Sequence, residues 1–537
     1  MKHHVKVSVA ALALVALTVS GCAASDDGGG SEPQESSAEP QTFRMAVEEP
    51  DHLIPGNHFA SYEITQSLFA PLTGFDDAGE LEMVAAESVE SDDATTWTIT
   101  LREGWTFHDG TPVTAQAYVD TWNYAAYGPN AWVNGGQLKN VVGYAEMNPA
   151  EGEPEATELA GLEVVDDRTF TVELIGADRQ FPFQLTVGQT ALYPLPESAW
   201  ADLEAFDRAP IGNGPFMMES EWEPNAEISV VAYEDYAGEA PTTDGITFVP
   251  YLDTTVAYTD ALAGAVDIVG IGANQAVQAE SDFGERFHAF DAPGVDFLGF
   301  PLEDPRFEDP RVRQAISMAI DREAINQAIF NGTQVPATSL TAPSMPGDPA
   351  GICGELCEFD PEAARALLEE AGGFEGTMEL LFIGGWAQDD LFQAYANQLR
   401  ENLQLDEVVA TPTTDFAAFT ERVAQGDLDG PYRARWGALY PSQQDTLHSV
   451  YTADGDGNSG AGGYSSAEVD ALLAEADAAE TLEESLAGYE AAQERILADF
   501  PTVPTFANRY LYVTSDRIAE LPTISGGIRF AEVVLAQ

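Results

Sequence analysis

Two spacings of apolar residues alternate along the chain. Period-two alternation, the mark of a half-buried strand, runs through Thr95-Thr96-Trp97-Thr98-Ile99-Thr100-Leu101, and residues 43–47 predict an opening strand. Residues 170–174, 228–232 and 379–383 read as further strands. Elsewhere the spacing changes to three and four. From Asp309 to Phe330, one apolar face is kept by Val312, Ile316, Ala319, Ile320, Ile325 and Ile329; Asp309 can cap it, Pro310 fits the first turn and Asn331-Gly332 stops it. Asp360-Pro361 opens a second helix, with Ala363, Ala364, Leu367 and Leu368 inward and Gly372-Gly373 at its end. Residues 258–266 predict a short helix closed by a parallel strand at Asp267-Ile268-Val269. Residues 105–114 predict a strand, a tight turn and an N-cap at Thr114, before a helix carrying Tyr118 and Trp122. Strands alternating with such helices predict an α/β architecture, and no repeat of fixed period interrupts it.

The N-terminus follows neither spacing. Lys2, His3, His4 and Lys6 form a basic start, residues 7–19 are mainly apolar, and Val19-Ser20-Gly21-Cys22 follows directly. That apolar run falls short of the roughly 20 residues that cross a bilayer and matches the core of a cleavable signal. The segment resembles a bacterial lipobox, which implies removal of residues 1–21 and acylation of Cys22. Residues 22–41 hold Asp26-Asp27-Gly28-Gly29-Gly30 and a Ser/Glu/Pro mixture, too polar to offset the entropy of ordering, and read as a flexible tether. Several acyl chains, at about 0.8 kcal/mol per buried methylene, suffice for stable anchoring. A globular body is therefore expected from Thr42 onward, anchored through lipid alone at the extracytoplasmic face of a bacterial membrane.

The chain has 537 residues, 45% of them hydrophobic, enough for about three domains. Its 90 acidic and 22 basic residues give a net charge of -68, or -70 once two lysines leave with the signal. Nucleic acid and anionic lipid headgroups are poor partners for such a surface. Lys139 is the one lysine outside the signal, which removes most lysine-dependent chemistry. With Cys22 acylated, Cys353 and Cys357 remain, and a local disulfide outside the reducing cytosol is the economical pairing; zinc would need two more ligands, and His288 and His448 are far off in sequence.

Four further segments carry a resemblance. In order they are residues 101–115, Leu-Arg-Glu-Gly-Trp-Thr-Phe-His-Asp-Gly-Thr-Pro-Val-Thr-Ala; residues 212–216, Gly-Asn-Gly-Pro-Phe; residues 307–322, Phe-Glu-Asp-Pro-Arg-Val-Arg-Gln-Ala-Ile-Ser-Met-Ala-Ile-Asp-Arg; and residues 464–473, Tyr-Ser-Ser-Ala-Glu-Val-Asp-Ala-Leu-Leu. Behind a lipobox, this series resembles the extracytoplasmic solute-binding proteins, family 5, of peptide-type ABC transporters, the oligopeptide- and dipeptide-binding proteins. The resemblance implies a two-lobed, type II periplasmic-binding-protein-like α/β fold with an extra subdomain inserted in the first lobe. It places lobe I at residues 42–296 with the insert at about 80–204, lobe II at 297–505, and a return to lobe I at 506–537. Chain crossings are expected near residues 295–302 and 503–513. The implied function is capture of a peptide or peptide-sized solute by a monomer and its delivery to an ABC permease, without cofactor or metal. The rival classes are a lipid-anchored ligand sensor without a permease and a lipid-anchored hydrolase.

The resemblance also nominates ligand contacts: Asn57, His58 and Tyr62 after the first strand, Trp132 in the insert, and Trp386 after the strand at 379–383. In Tyr432-Arg433-Ala434-Arg435-Trp436-Gly437-Ala438-Leu439-Tyr440-Pro441, Arg433 and Trp436 match the family's ligand-contacting arginine and aromatic. Leu439 stands where the family has an aspartate that pairs with a peptide α-amine. A buried ammonium without a partner costs several kcal/mol, so another acid takes that place or the ligand has no free amine there.

Other chemistry fits less well. Gly455-Asp456-Gly457-Asn458-Ser459-Gly460 matches G-x-G-x-x-G but lies in a Gly/Asp loop. The calcium-loop likeness of Asp454, Asp456 and Asn458 fails at Ser459 and Ser465. Gly457-Asn458-Ser459-Gly460-Ala461 fails as a nucleophile elbow at its last position, and H-E-x-x-H is absent from the sequence. The lipobox is directly testable: the intact mass of membrane-extracted protein should equal residues 22–537 plus lipid, whereas an unprocessed, lipid-free form would refute acylation.

Overall fold

The structure, a computed structural model, describes residues 40–536 apart from 59, 77–78, 187–191, 386–387 and 525–526. The signal, Cys22 and most of the tether lie outside the described residues, as does Trp386. Among the described residues no helix is long and apolar enough to cross a membrane.

One mixed sheet of eleven strands runs through both lobes. Its order is Val408–Thr413, Met378–Ile383, Tyr432–Gly437, Phe287–Gly299, Val503–Thr514, Ile268–Ile271, Thr42–Val47, Gly245–Pro250, Ile228–Ala232 and Phe216–Met218, with Val335–Pro336 also on Val503–Thr514. The two long strands in the middle, Phe287–Gly299 and Val503–Thr514, are the chain crossings and pair with each other antiparallel. One end of the second binds Ile268–Ile271 of lobe I, while the far end of the first binds Tyr432–Gly437 of lobe II. The first crossing begins earlier than expected, because Phe287–Asp291 is already paired with Val513–Arg509.

Between Asp291 and Val295 the register shifts. Pro293 brings no N–H to the ladder, and its carbonyl accepts from the Ala438 N–H at 2.7 Å. A Cβ on Gly294 would meet Asn508 Oδ1 at 2.7 Å and Trp436 O at 3.1 Å, so glycine here leaves room for the Asn508 amide.

Three larger apolar cores follow, two on this sheet and one in the inserted subdomain. In lobe I, Phe43, Met45, Ile246 and Phe248 pack with Phe530 and Val533, which the chain brings back from its C-terminal end. The inserted subdomain has its own four-stranded antiparallel sheet, Ala86–Glu90, Thr96–Leu101, Thr169–Glu173 and Leu162–Asp166 in that order, whose Ile99, Phe170 and Val172 pack against Tyr118 and Trp122 of helix Ala115–Ala126. Thr114 caps that helix, accepting from the Ala117 N–H. The strand predicted before it reduces to one bridge, Thr106 with Pro112, because Asp109 and Gly110 turn the chain back at once. In lobe II, Phe297, Ile316, Leu380, Phe382, Tyr395, Tyr489 and Ile496 form the core. Cys353 and Cys357 are joined by a disulfide at its edge, with Cα atoms 5.6 Å apart.

The helix predicted from Asp309 to Phe330 is two helices, Pro310–Met318 and Arg322–Ile329. Asp321 breaks it by taking the Ala324 N–H as the cap of the second helix. The break turns Arg322 inward, 3% exposed. Its guanidinium donates to Pro504 O (2.9 and 2.7 Å), Ser317 O (3.1 Å), Ser317 Oγ (2.8 Å) and Cys357 O (3.3 Å). Arg313 does the same for Phe500 O (2.7 Å), Asp499 O (2.5 Å) and Phe307 O. Burial draws the pKa of each down to about 10, so both stay charged at neutral pH. They tie the lobe II helices to the chain that leads into the second crossing strand. Arg322→Met removes a buried charge but strands several carbonyls, and the second effect dominates at about 1–3 kcal/mol per unsatisfied group. Urea unfolding should show a loss of about 3 kcal/mol; an unchanged midpoint would contradict this role.

Candidate functional site

The loop after the first strand is organised from within. Its Asn57 N–H donates to Ile54 O at 3.1 Å. His58 is 2% exposed, with Nδ1 3.2 Å from Ile54 O, Nε2 3.2 Å from Thr65 Oγ1, and its ring centroid 4.6 Å from that of Tyr62. Burial lowers the His58 pKa, so the neutral ring serves to hold the loop. Half-buried Tyr62 begins helix Tyr62–Leu68, followed by Glu63, whose carboxyl burial pushes upward. The charge of Glu63 bears on Tyr510 and Tyr512 of the second crossing strand. From the insert, Trp132 lies over Gly56, where a Cβ would come within 3.2 Å of the indole, and beside Tyr124 at 5.1 Å. Asn134 fastens the insert to this loop through Gly56 O and His58 O. Asn57, His58, Tyr62 and Trp132 thus belong to one wall.

Arg433 and Trp436 stand on the strand Tyr432–Gly437, which pairs with the first crossing. A spacing of three in a strand puts them on opposite faces. Arg433 shares its face with Arg435 and Asp296, and among the described residues its guanidinium has no hydrogen-bond or ion-pair partner. Burial lowers its pKa, against the charge of Asp296. Arg435 Nε lies 3.8 Å from Asp296 Oδ1, while Asn508 donates to Asp296 Oδ2 at 2.8 Å. Arg433 is therefore a cation open to an acidic or carbonyl group.

Trp436 instead turns toward helix Gln443–Tyr451. Its indole N–H donates to Asp445 Oδ2 at 2.8 Å, and the Leu439 N–H donates to the same oxygen at 3.1 Å. The backbone of Gly457 closes on the indole so tightly that a Cβ there would lie 2.6 Å from Cε3. Asp445 is 4% exposed, and burial pushes its pKa up to about 6, opposed by the Trp436 and Leu439 hydrogen bonds and the charges of Lys139 and His448. Leu439 itself is half-buried beside it.

Behind Asp445 the inserted subdomain meets lobe II through a buried polar network. Gln444 Nε2 donates to Asp178 Oδ1 (2.8 Å) and to Asp477 Oδ1 (2.9 Å), so one neutral amide bridges two carboxylates. Gln184 donates to Asp178, and Tyr489 to Asp477. His448 Nε2 lies 2.9 Å from Asp477 Oδ2. Gln180 links Ser442 and Ser485, and Arg179 donates from its backbone to Asp477 O and from Nε to Ala479 O. Burial and the Asp477 charge raise Asp178 to about 6. Burial lowers His448, but its bond to Asp477 and the charges of Asp477, Asp178 and Asp454 outweigh this and raise it. Tyr440, near all three carboxylates, is raised far above its usual range, by burial first.

Comparison with known proteins identifies the frame. The model of the bacterial extracellular solute-binding proteins, family 5, middle part, matches residues 80–458, more than two-thirds of the chain. The chain belongs to this family. As a family 5 member it is a solute-binding protein of the kind that serves peptide-type ABC importers. Its relatives include the probable deoxycholate-binding periplasmic protein YgiS of Escherichia coli, 27% identical over 83% of each chain. The heme-binding protein A of Haemophilus influenzae is 26% identical over 79% of this chain and 78% of its own. The periplasmic murein peptide-binding protein MppA of Escherichia coli is 26% identical over 94% of each. In its unliganded open form MppA superposes with a TM-score of 0.80 at 22% identity, covering 93% of this chain and 98% of the other. That likeness establishes the two-lobed fold.

The resemblance named Trp436 and Arg433, whereas Asp445, Asp178 and Asp477 are three of 90 acids with no distinguishing spacing. The titration of Asp178, Asp445 and His448 has a definite sign. All three bind protons more tightly folded than unfolded, so the stability they contribute is present at low pH; the two aspartates lose theirs as pH rises from the ordinary aspartate range through about 6, and His448 loses its share only above the ordinary histidine value. Carboxylates held low, such as Asp304 beside Arg306, lose their contribution only below the ordinary aspartate range. The melting temperature should therefore fall as pH rises from about 4 to 6, and Asp178→Asn should flatten the slope there. A melting temperature that rises over this window would contradict the assignment.

Proposed function

We propose that this family 5 protein is a lipid-anchored monomer at the extracytoplasmic face of the membrane, acylated on Cys22, that encloses a solute between its lobes and hands it unchanged to an ABC permease. In this reading residues 42–296 and 506–537 form lobe I, with the insert at about 80–204, and residues 297–505 form lobe II. A ligand that touches both lobes favours their closure, and one touching a single lobe shifts nothing.

The solute carries no free α-amine at the Trp436 end and presents an acidic or carbonyl group to Arg433. One observation carries this reading: Leu439 has no carboxylate to offer, and the neighbouring acid, Asp445, has Oδ2 already committed to the Trp436 indole and the Leu439 N–H. Two relatives support it by name, since deoxycholate and heme are largely apolar bodies with carboxylates and no amine. Asn57, Tyr62, Trp132 and Trp386 supply the remaining wall in this proposal, with His58 shaping it from behind.

Tryptophan fluorescence titration with free peptides, N-acetylated peptides and amine-free carboxylates tests this. The amine-free ligands should bind at lower concentration, Leu439→Asp should shift preference toward free peptides, and every ligand should be recovered intact. Tight binding of free peptides by the unaltered protein, lost when a different acid is changed, would overturn the ligand class; turnover of ligand would overturn the binding role.

A further inference from the structure

Beside Trp436 the inserted subdomain reaches lobe II with a lysine. Lys139, the one lysine outside the N-terminal signal, ends 3.7 Å from Asp456 Oδ2 in the loop after helix Gln443–Tyr451. The next residue, Gly457, is the one packed on the Trp436 ring. That indole holds Asp445 Oδ2, and Oδ1 of Asp445 takes no hydrogen bond among the described residues. Lys139, Asp456, Trp436 and Asp445 thus form one cluster at the position of Leu439. The charged and titratable groups facing Asp445 are Lys139, His448 and Tyr440, with Asp178 and Asp477 behind Gln444.

We infer that Lys139 is a built-in ammonium that serves the anionic site beside Trp436 in place of a ligand amine. The inference rests on the reading that solute binds at Trp436, and deepens it by giving the amine-free preference a positive cause. A counter-cation stabilises the charge of a buried carboxylate, which neutral donors satisfy without cancelling. Where that cation comes with the ligand, recognition of an amine follows; here the chain supplies it from the insert, which also joins the insert to lobe II. The end of the solute at Leu439 then meets an apolar side chain and an anion already compensated. A free amine there competes with a tethered lysine and is disfavoured.

Removing the lysine should reverse the preference. Tri-alanine and N-acetyl-tri-alanine serve as probes, titrated into the full mature chain, Lys139→Met, Lys139→Arg and Lys139→Met combined with Asp445→Asn. Lys139 is more than half exposed, so its replacement leaves the fold intact, and melting temperatures check this and the buried Asp445→Asn change, whose affinities are compared at a temperature where every variant is folded. Lys139→Met should improve the affinity for tri-alanine relative to its acetylated form by about tenfold. Lys139→Arg should behave as the unaltered chain, and adding Asp445→Asn should abolish the gain. An unchanged ratio of the two affinities in Lys139→Met overturns the inference while leaving solute binding at Trp436 standing. So does tri-alanine binding that is tightest in the unaltered chain. Binding of neither probe by any variant overturns both, because the site then takes no peptide end of either kind.

Discussion

Two strands paired with each other hold the molecule together. Phe287–Gly299 and Val503–Thr514 are each long enough to donate one end to lobe I and the other to lobe II, so a single hydrogen-bonded sheet passes through both. Separating the lobes would break this ladder, whereas bending it costs least where its register is broken. One such break lies at Ala292-Pro293-Gly294, where proline withholds a donor and glycine admits Asn508. The buried guanidinium groups of Arg313 and Arg322 stiffen the lobe II side by binding backbone carbonyls from Asp499 to Pro504. A second register shift, between Asp296 and Phe297, lies close to the first, so the irregular part of the crossing ladder is concentrated at its lobe II side.

Much of this frame was legible in the sequence because it rests on local periodicity. The strands at 42–47, 96–101 and 228–232 and the helix from Pro361 declare themselves by spacing and caps. The helix break at Asp321 was hidden because the apolar face continues across it, and only the competition of the Asp321 side chain for the Ala324 N–H divides it. The early start of the first crossing was hidden for a different reason: pairing between residues more than two hundred positions apart leaves no local mark.

The site divides along the same line. A resemblance marked Trp436 and Leu439, and composition marked Lys139 as a lone lysine, but nothing local connects them. The connection runs through packing, from the insert to the Asp456 loop, through Gly457 to the indole, and on to Asp445. Strand geometry alone would have separated Arg433 from Trp436, since an odd spacing reverses the face.

The scarcity of cations gives this contact its character. With 22 basic residues against 90 acids, a basic side chain bound to backbone is one fewer for a carboxylate, and Arg313 and Arg322 are bound to backbone. The acids buried between insert and lobe II are met mainly by neutral donors: Gln444 for two of them, Gln184 and Tyr489 for one each. Neutral donors satisfy lone pairs without cancelling charge, so Asp178 and Asp477 still repel. A proton or a cation therefore gains more here than at the exposed surface, where water already screens. His448 can bring the first and Lys139 the second. The surface acids set the protein's overall charge, while these few act together with the Gln180 and Arg179 bonds where the insert holds lobe II.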